Sequence, residues 1–138
     1  MNVDVPVAEV MTPHPRAVQL TDKISDVRAA LADGRWHHLP VLEGRNLVGM
    51  ISITDLLEFG FAPRDSHVDV DGYLDQNFTI KQVMQASPVT IPSNSTVRDA
   101  ASALSTGNRH SVPVVKDNGE LVGIVTSTDI VSFVMSEL

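Results

Sequence analysis

Apolar and polar positions alternate along this chain in two matching series of short signals. Over residues 38–52, "HLPVLEGRNLVGMIS" sets two apolar runs on either side of the turn Glu43-Gly44-Arg45. Over residues 111–126, "SVPVVKDNGELVGIVT" does the same, with Asp117, Asn118 and Gly119 forming a good hairpin signal. Each reads as two strands. Upstream, Ile24, Val27 and Leu31, and again Val97, Ala100 and Leu104, have the i, i+3, i+7 spacing of a helix with one buried face. Thr21 and Ser95 are the expected N-caps, and Gly34 and Gly107 are placed to end these helices. A short apolar strand precedes each helix, at Ala17-Val18 and at Val89 to Ile91. A last helix is expected to open at Thr54 and at Thr128. Pro40 and Pro113 predict that their strand lies at an edge or is irregular there.

The order β-α-β-β-α therefore occurs twice, and the residues repeat with it. Sliding the chain by 73, then by 74 after one extra turn residue near Asn118, gives 16 identities in 47 aligned positions. Chance would give roughly three, so the chain is an internal duplication. The pairs include Met11 with Met84, His37 with His110, Pro40 with Pro113, Gly49 with Gly123, and Asp55 with Asp129. The copies span residues 7–59 and 80–135, with residues 60–79 as a connector. A three-strand sheet with helices on one face leaves apolar surface bare, and packing two such units together covers it. The expected class is α+β.

Composition narrows the possibilities. Among 138 residues, 43% are apolar and 20% charged, an ordinary globular balance. No cysteine is present, which excludes disulfides, thiol catalysis and Cys-based metal sites. The start, "MNVDVPVAEVM", does not read as a signal peptide, and no apolar run approaches the roughly 20 residues of a membrane helix. A cytoplasmic protein fits these features. The net charge of −7 disfavours nucleic-acid backbones and anionic membrane surfaces, but not a small anion in a local positive pocket. No nucleophile–base–orienter set and no glycine-rich phosphate loop is present, so an enzyme is not expected.

"VMTPHP" and "VMQASP" open the copies, and "HHLPVLEGRNLVGMISITDLL" and "HSVPVVKDNGELVGIVTSTDIV" close them. This paired pattern resembles the CBS (cystathionine β-synthase) domain family in its tandem arrangement. The resemblance implies two CBS repeats packed about a pseudo-twofold axis as one compact module, with clefts that bind adenosine nucleotides. It also implies a disc-shaped homodimer and a regulatory, energy-sensing role toward another protein, which the sequence does not name. A ligand would be AMP, ADP, ATP or a relative, with Mg²⁺ an optional companion of its phosphates and no cofactor required. A structural dimerisation module with degenerate sites is the alternative.

Beside that resemblance, the residues of "GMISITD" and "GIVTSTD" suit the chemistry. An ionised Asp is acceptor-only, and one carboxylate can take both hydroxyls of a ribose. Asp55 and Asp129 would do so from the first turn of a helix, with Ser52, Thr54, Thr126 and Thr128 adding hydroxyls. The plainer role for the same residues is helix capping. In the resembled family, basic residues at the positions of His37 and His110 face ligand phosphates, and His38 adjoins the first. As neighbours on a strand, His37 and His38 point to opposite faces and cannot chelate one metal. Val18, Leu39, Val112 and Ile91 are the expected walls for an adenine, with core packing as the plainer role. The family draws each cleft from both copies, which would add Thr90 to the Asp55 site and place Ala17 at the other. The Asp55 site is then expected to be the richer in polar contacts. In the connector, "HVDVDGY" resembles a calcium loop only faintly. His67 and Phe78 stand where Asp and Glu are needed, and a solvated acidic loop is expected. Trp36 is expected to pack, with an interface role as the alternative.

Overall fold

The computed structural model describes residues 1–59 and 69–138. A 3₁₀ turn, Val7–Glu9, precedes strands β1 (Thr12–Pro13) and β2 (Val18–Gln19). Helix α1 (Ile24–Ala32) leads into β3 (His38–Glu43), β4 (Asn46–Ser52) and α2 (Ile53–Phe59). Helices α3 (Val70–Asn77) and α4 (Ile80–Val83) precede β5 (Gln85–Ala86). The order ends with β6 (Ile91–Pro92), α5 (Val97–Leu104), β7 (Ser111–Val115), β8 (Leu121–Thr126) and α6 (Ser127–Ser136). The class is α+β.

The chain forms two units, residues 16–88 and residues 1–15 with 89–138. In the first, the sheet order is β2-β3-β4-β5, and in the second it is the matching β6-β7-β8-β1. The parallel pair, β2 with β3 or β6 with β7, is joined through the helix α1 or α5. The other pairings are antiparallel. Each sheet thus has four strands where the repeat predicts three. The fourth comes from the segment that opens the other copy: β5 lies on β4, and β1 on β8. Repeat and folding unit are different divisions of the chain.

The apolar spacing reads out as expected. Ile24, Val27, Ala30 and Leu31 of α1 are buried with Leu39, Val41 and Ile51 of the strands. Ala100 and Leu104 of α5 are buried with Val112, Val114 and Val125. Trp36 packs, partly buried, against the first of these cores. Pro40 and Pro113 do not mark an edge strand, because β3 and β7 are interior. The short parallel neighbour explains the tolerance. β2 pairs only with Val41 and Leu42, and β6 only with Val114 and Val115, so each proline lies beyond the doubly flanked stretch. The register also shifts after Val41 and after Val114, which is the predicted irregularity.

The helix starts differ from expectation. α5 is capped by Thr96, not Ser95, and α1 begins after Lys23, whose N–H donates to Asp26 at 2.9 Å. The connector is not a loop throughout. Residues 60–68, including His67 of the rejected calcium pattern, lie outside the described residues. Beyond them the acidic stretch forms α3, capped by Asp69, which accepts from the Gly72 N–H at 3.0 Å. Asp75 of α3 takes up first-turn donors of α1: Ser25 gives its N–H at 2.9 Å and its hydroxyl at 2.7 Å. At the matching place in the other unit, Arg98 of α5 donates its N–H to the Val3 carbonyl at 2.8 Å. Two leading segments, different in structure, serve the same need.

Candidate functional site

The site is built where each β-hairpin runs into its last helix. Ser52 ends β4 opposite His38, and Thr126 ends β8 opposite Ser111. Both hydroxyl residues then cap the helix that follows. The Asp129 N–H donates to Thr126 Oγ1 at 3.2 Å, and the Thr126 N–H donates to Asp129 Oδ2 at 2.8 Å. The Asp55 N–H donates to Ser52 Oγ at 3.2 Å, and the Ser52 N–H donates to Asp55 Oδ2 at 2.8 Å. These are reciprocal capping boxes with Asp at the third helical position. The caps are therefore Ser52 and Thr126, two residues before the expected Thr54 and Thr128. Those two threonines stand exposed on the first turn.

The same box recurs in α5, where Thr96 and Asp99 exchange bonds of 3.3 and 2.9 Å. Capping alone is thus a sufficient reason for an Asp at this position. Burial separates the three acids: Asp99 is exposed, Asp129 is half-buried, and Asp55 is only 7% exposed. Asp55 is held by more bonds. The Ser52 hydroxyl donates to its Oδ2 at 3.0 Å, and Gln85 Nε2 donates to its Oδ1 at 3.1 Å. Asp129 Oδ1 has no hydrogen-bond partner among the described residues. Gln85 was not legible as a site residue, being 30 positions from its partner.

The other expected residues fall as follows. His37 and His110 are exposed just before β3 and β7, and His38 is half-buried at the start of β3. The His110 carbonyl accepts the Ser127 N–H at 2.9 Å and so ties the strand entrance to the first turn of α6. Val18 and Ile91, 5% and 7% exposed on β2 and β6, belong to the cores together with Leu39 and Val112, which have no exposed surface. Thr90 is exposed and belongs with Ile91 to the unit of Asp129, while Val18 belongs to that of Asp55. Gly49 and Gly123 let neighbouring segments of the protein approach closely. A Cβ on Gly49 would collide with the Met84 side chain and meet the Gln85 carbonyl at 3.0 Å, and one on Gly123 would collide with Met11. Among the described residues no group of three or more His, Asp or Glu side chains could hold a metal ion. No described helix is long and apolar enough to cross a membrane. A depression of about 440 Å³, lined by Ser93, Asn94, Lys116, Asp117 and Asn118, lies at the turn end of the β7–β8 hairpin, away from Thr126.

Two four-stranded α+β units with matched hairpin-to-helix junctions define the tandem module outlined by the repeat. The CBS domain model matches residues 7–61 and 80–136, and the chain belongs to the CBS domain family. It is 27% identical over 124 residues to an inosine-5'-monophosphate dehydrogenase of Korarchaeum cryptofilum, covering 90% of this chain and 22% of that protein. It is 26% identical over 136 residues to a CBS domain-containing protein of Dictyostelium discoideum, covering 96% and 92%. The chain spans between about a fifth and two fifths of the length of the first curated relatives it matches. Among solved structures it superposes on CBSX2 in complex with AMP with a TM-score of 0.80, at 24% identity, covering 96% of this chain and 98% of that one. It also superposes on the CBS domain pair of protein MJ0100, in complex with 5'-methylthioadenosine and S-adenosyl-L-methionine, with a TM-score of 0.71 at 28% identity, covering 94% and 99%.

Proposed function

We propose that this chain is a non-catalytic regulatory module that binds an adenosine-type ligand through an acid at a hairpin-to-helix junction. The observation that carries the reading is the half-buried Asp129 carboxylate, oriented by Thr126 yet with one oxygen unpartnered among the described residues. Such an oxygen, beside the first turn of a helix, suits the hydroxyls of a ribose. Thr54, Thr128 and Thr90 offer further hydroxyls, His37, His38 and His110 would face phosphates, and Val18 and Ile91 would flank the base. The bound adenosine compounds of CBSX2 and of the MJ0100 pair support this choice of ligand class. Mg²⁺ would enter only with the phosphates of a nucleotide. A homodimer, cytoplasmic and energy-sensing, acting on another protein, completes the reading. Leu57 of α2 and Val131 of α6, which are matched repeat positions, are 73% and 60% exposed and offer apolar surface to a second copy.

Thermal unfolding with AMP, ADP, ATP and S-adenosylmethionine tests the reading. A ligand at 100 times its Kd adds about 2.7 kcal/mol. For a chain of this size that raises the melting temperature by roughly 9 °C. A melting temperature unmoved by every one of these compounds overturns it.

A further inference from the structure

The two acids occupy equivalent places but do not have equivalent surroundings. Gln85 lies on β5, paired with Met50 of β4, and its amide reaches Asp55 Oδ1. Its counterpart one repeat earlier is Thr12 on β1, paired with Ile124 of β8 in the same way. The threonine side chain is two heavy atoms shorter, and Thr12 makes no hydrogen bond to Asp129. We infer that Gln85 closes the Asp55 carboxylate to ligands, so that the chain takes one adenosine-type ligand, at Asp129. This rests on the adenosine reading above and reverses the expectation that the Asp55 site is the richer one.

The chemistry is that of a finite acceptor. A carboxylate has about four lone-pair directions. At Asp55, Oδ2 already serves the Ser52 N–H and hydroxyl, and Oδ1 serves Gln85, with 7% of the residue left exposed. A ribose arriving there must first displace a side-chain amide that is part of the same chain and therefore always present. At Asp129, only Oδ2 is engaged, by one N–H. Gln85 is thus a specificity-determining residue that acts from a strand contributed by the other copy, and it sets stoichiometry without touching the favoured ligand.

Equilibrium titration with AMP tests this in four folded proteins: the parent, Gln85→Thr, Asp129→Asn and the double variant. Gln85 is exposed, so the threonine borrowed from the matching position is compatible with the fold. Asn at position 129 keeps an oxygen for the Thr126 N–H. The parent is expected to bind one AMP per chain and Gln85→Thr two. Asp129→Asn is expected to weaken the parent's binding by about tenfold or more. In the double variant one AMP is expected to return, now at Asp55. Two AMP per chain in the parent, no second AMP in Gln85→Thr, or binding indifferent to Asp129→Asn each overturns the closure while the adenosine reading stands. The same titration with ADP, ATP and S-adenosylmethionine completes the test, and no binding of AMP or of any of these to any of the four proteins overturns both.

Discussion

The Met84 side chain fills the space that a Cβ on Gly49 would need, and the Gln85 carbonyl lies 3.0 Å from that point. The pairing of Met11 with Gly123 repeats it in the other unit. Two features that look independent in the sequence, the Val-Met opening and the Gly before the last strand residues, are the two halves of one contact.

Gly49→Ala is therefore expected to destabilise by about 1–3 kcal/mol, because backbone as well as side chain must move. Gly123→Ala is expected to cost less, since the three atoms nearest to the new Cβ all belong to the flexible Met11 side chain. Urea unfolding of the two variants beside the parent checks the order. Equal losses would mean that the backbone approach at Gly49 is immaterial.

His14 and Ser87, matched repeat positions, have φ values of 46° and 51°, in the left-handed region. For an L residue this conformation costs roughly 1–2 kcal/mol. Ser87→Gly relieves it and is expected to gain up to about 1 kcal/mol, net of the glycine's extra freedom when unfolded. Ser87→Val is expected to lose more than about 1 kcal/mol, because branching at Cβ worsens the clash. Thermal denaturation that ranks Val above Gly would contradict the assigned geometry.

The caps and the exposed threonines separate by stability. Thr126→Ala is expected to lose about 1 kcal/mol with its bond to the Asp129 N–H. Thr128→Ala, exposed on the same turn, is expected to stay within about 0.5 kcal/mol of the parent. A larger loss at Thr128 than at Thr126 would return the cap to the position that the sequence suggested.

Burial raises the Asp75 pKa, but the hydroxyl and backbone bonds from Ser25, with the charge of Lys23, outweigh it and hold the carboxyl below its ordinary value. A carboxylate depressed in the fold contributes stability that is full above its unfolded pKa, near 4. That contribution fades as the pH falls through the lower, folded value. Stability measured by urea unfolding from pH 7 down to pH 3 is expected to fall less steeply in Asp75→Asn than in the parent. Parallel pH profiles would show that the Ser25 bonds do not favour the ionised form.

Much of the fold was legible because periodicity and duplication report the same facts twice. Ile24, Val27 and Leu31 are buried where their spacing placed them, and so are their counterparts Val97, Ala100 and Leu104. What escaped was contact between segments far apart in sequence. The fourth strand of each sheet is two residues long, too short for any pattern to show, and it comes from the opening of the other copy. Helix α3 was hidden by its acidity. Asp69 caps it and Asp71 meets Arg28 at 2.7 Å, so these acids are structural as well as solvated. At the site, Asp55 and Asp129 were legible as helix-start acids, but the pattern set the caps at Thr54 and Thr128, two residues late. Only the hydrogen bonds place Thr126 in that role and Gln85 on Asp55.

The two folding units differ in how the chain delivers them. Residues 16–88 are contiguous, so on a ribosome the β2–β5 sheet has all its strands before β6 has been made. Thr12 and Pro13, translated earlier, have no sheet to join until β8 emerges more than 100 positions later. Thr12 and Pro13 thus find their place only after most of their own unit has been made, and the unit holding Asp129 is closed by a strand older than the partner it joins.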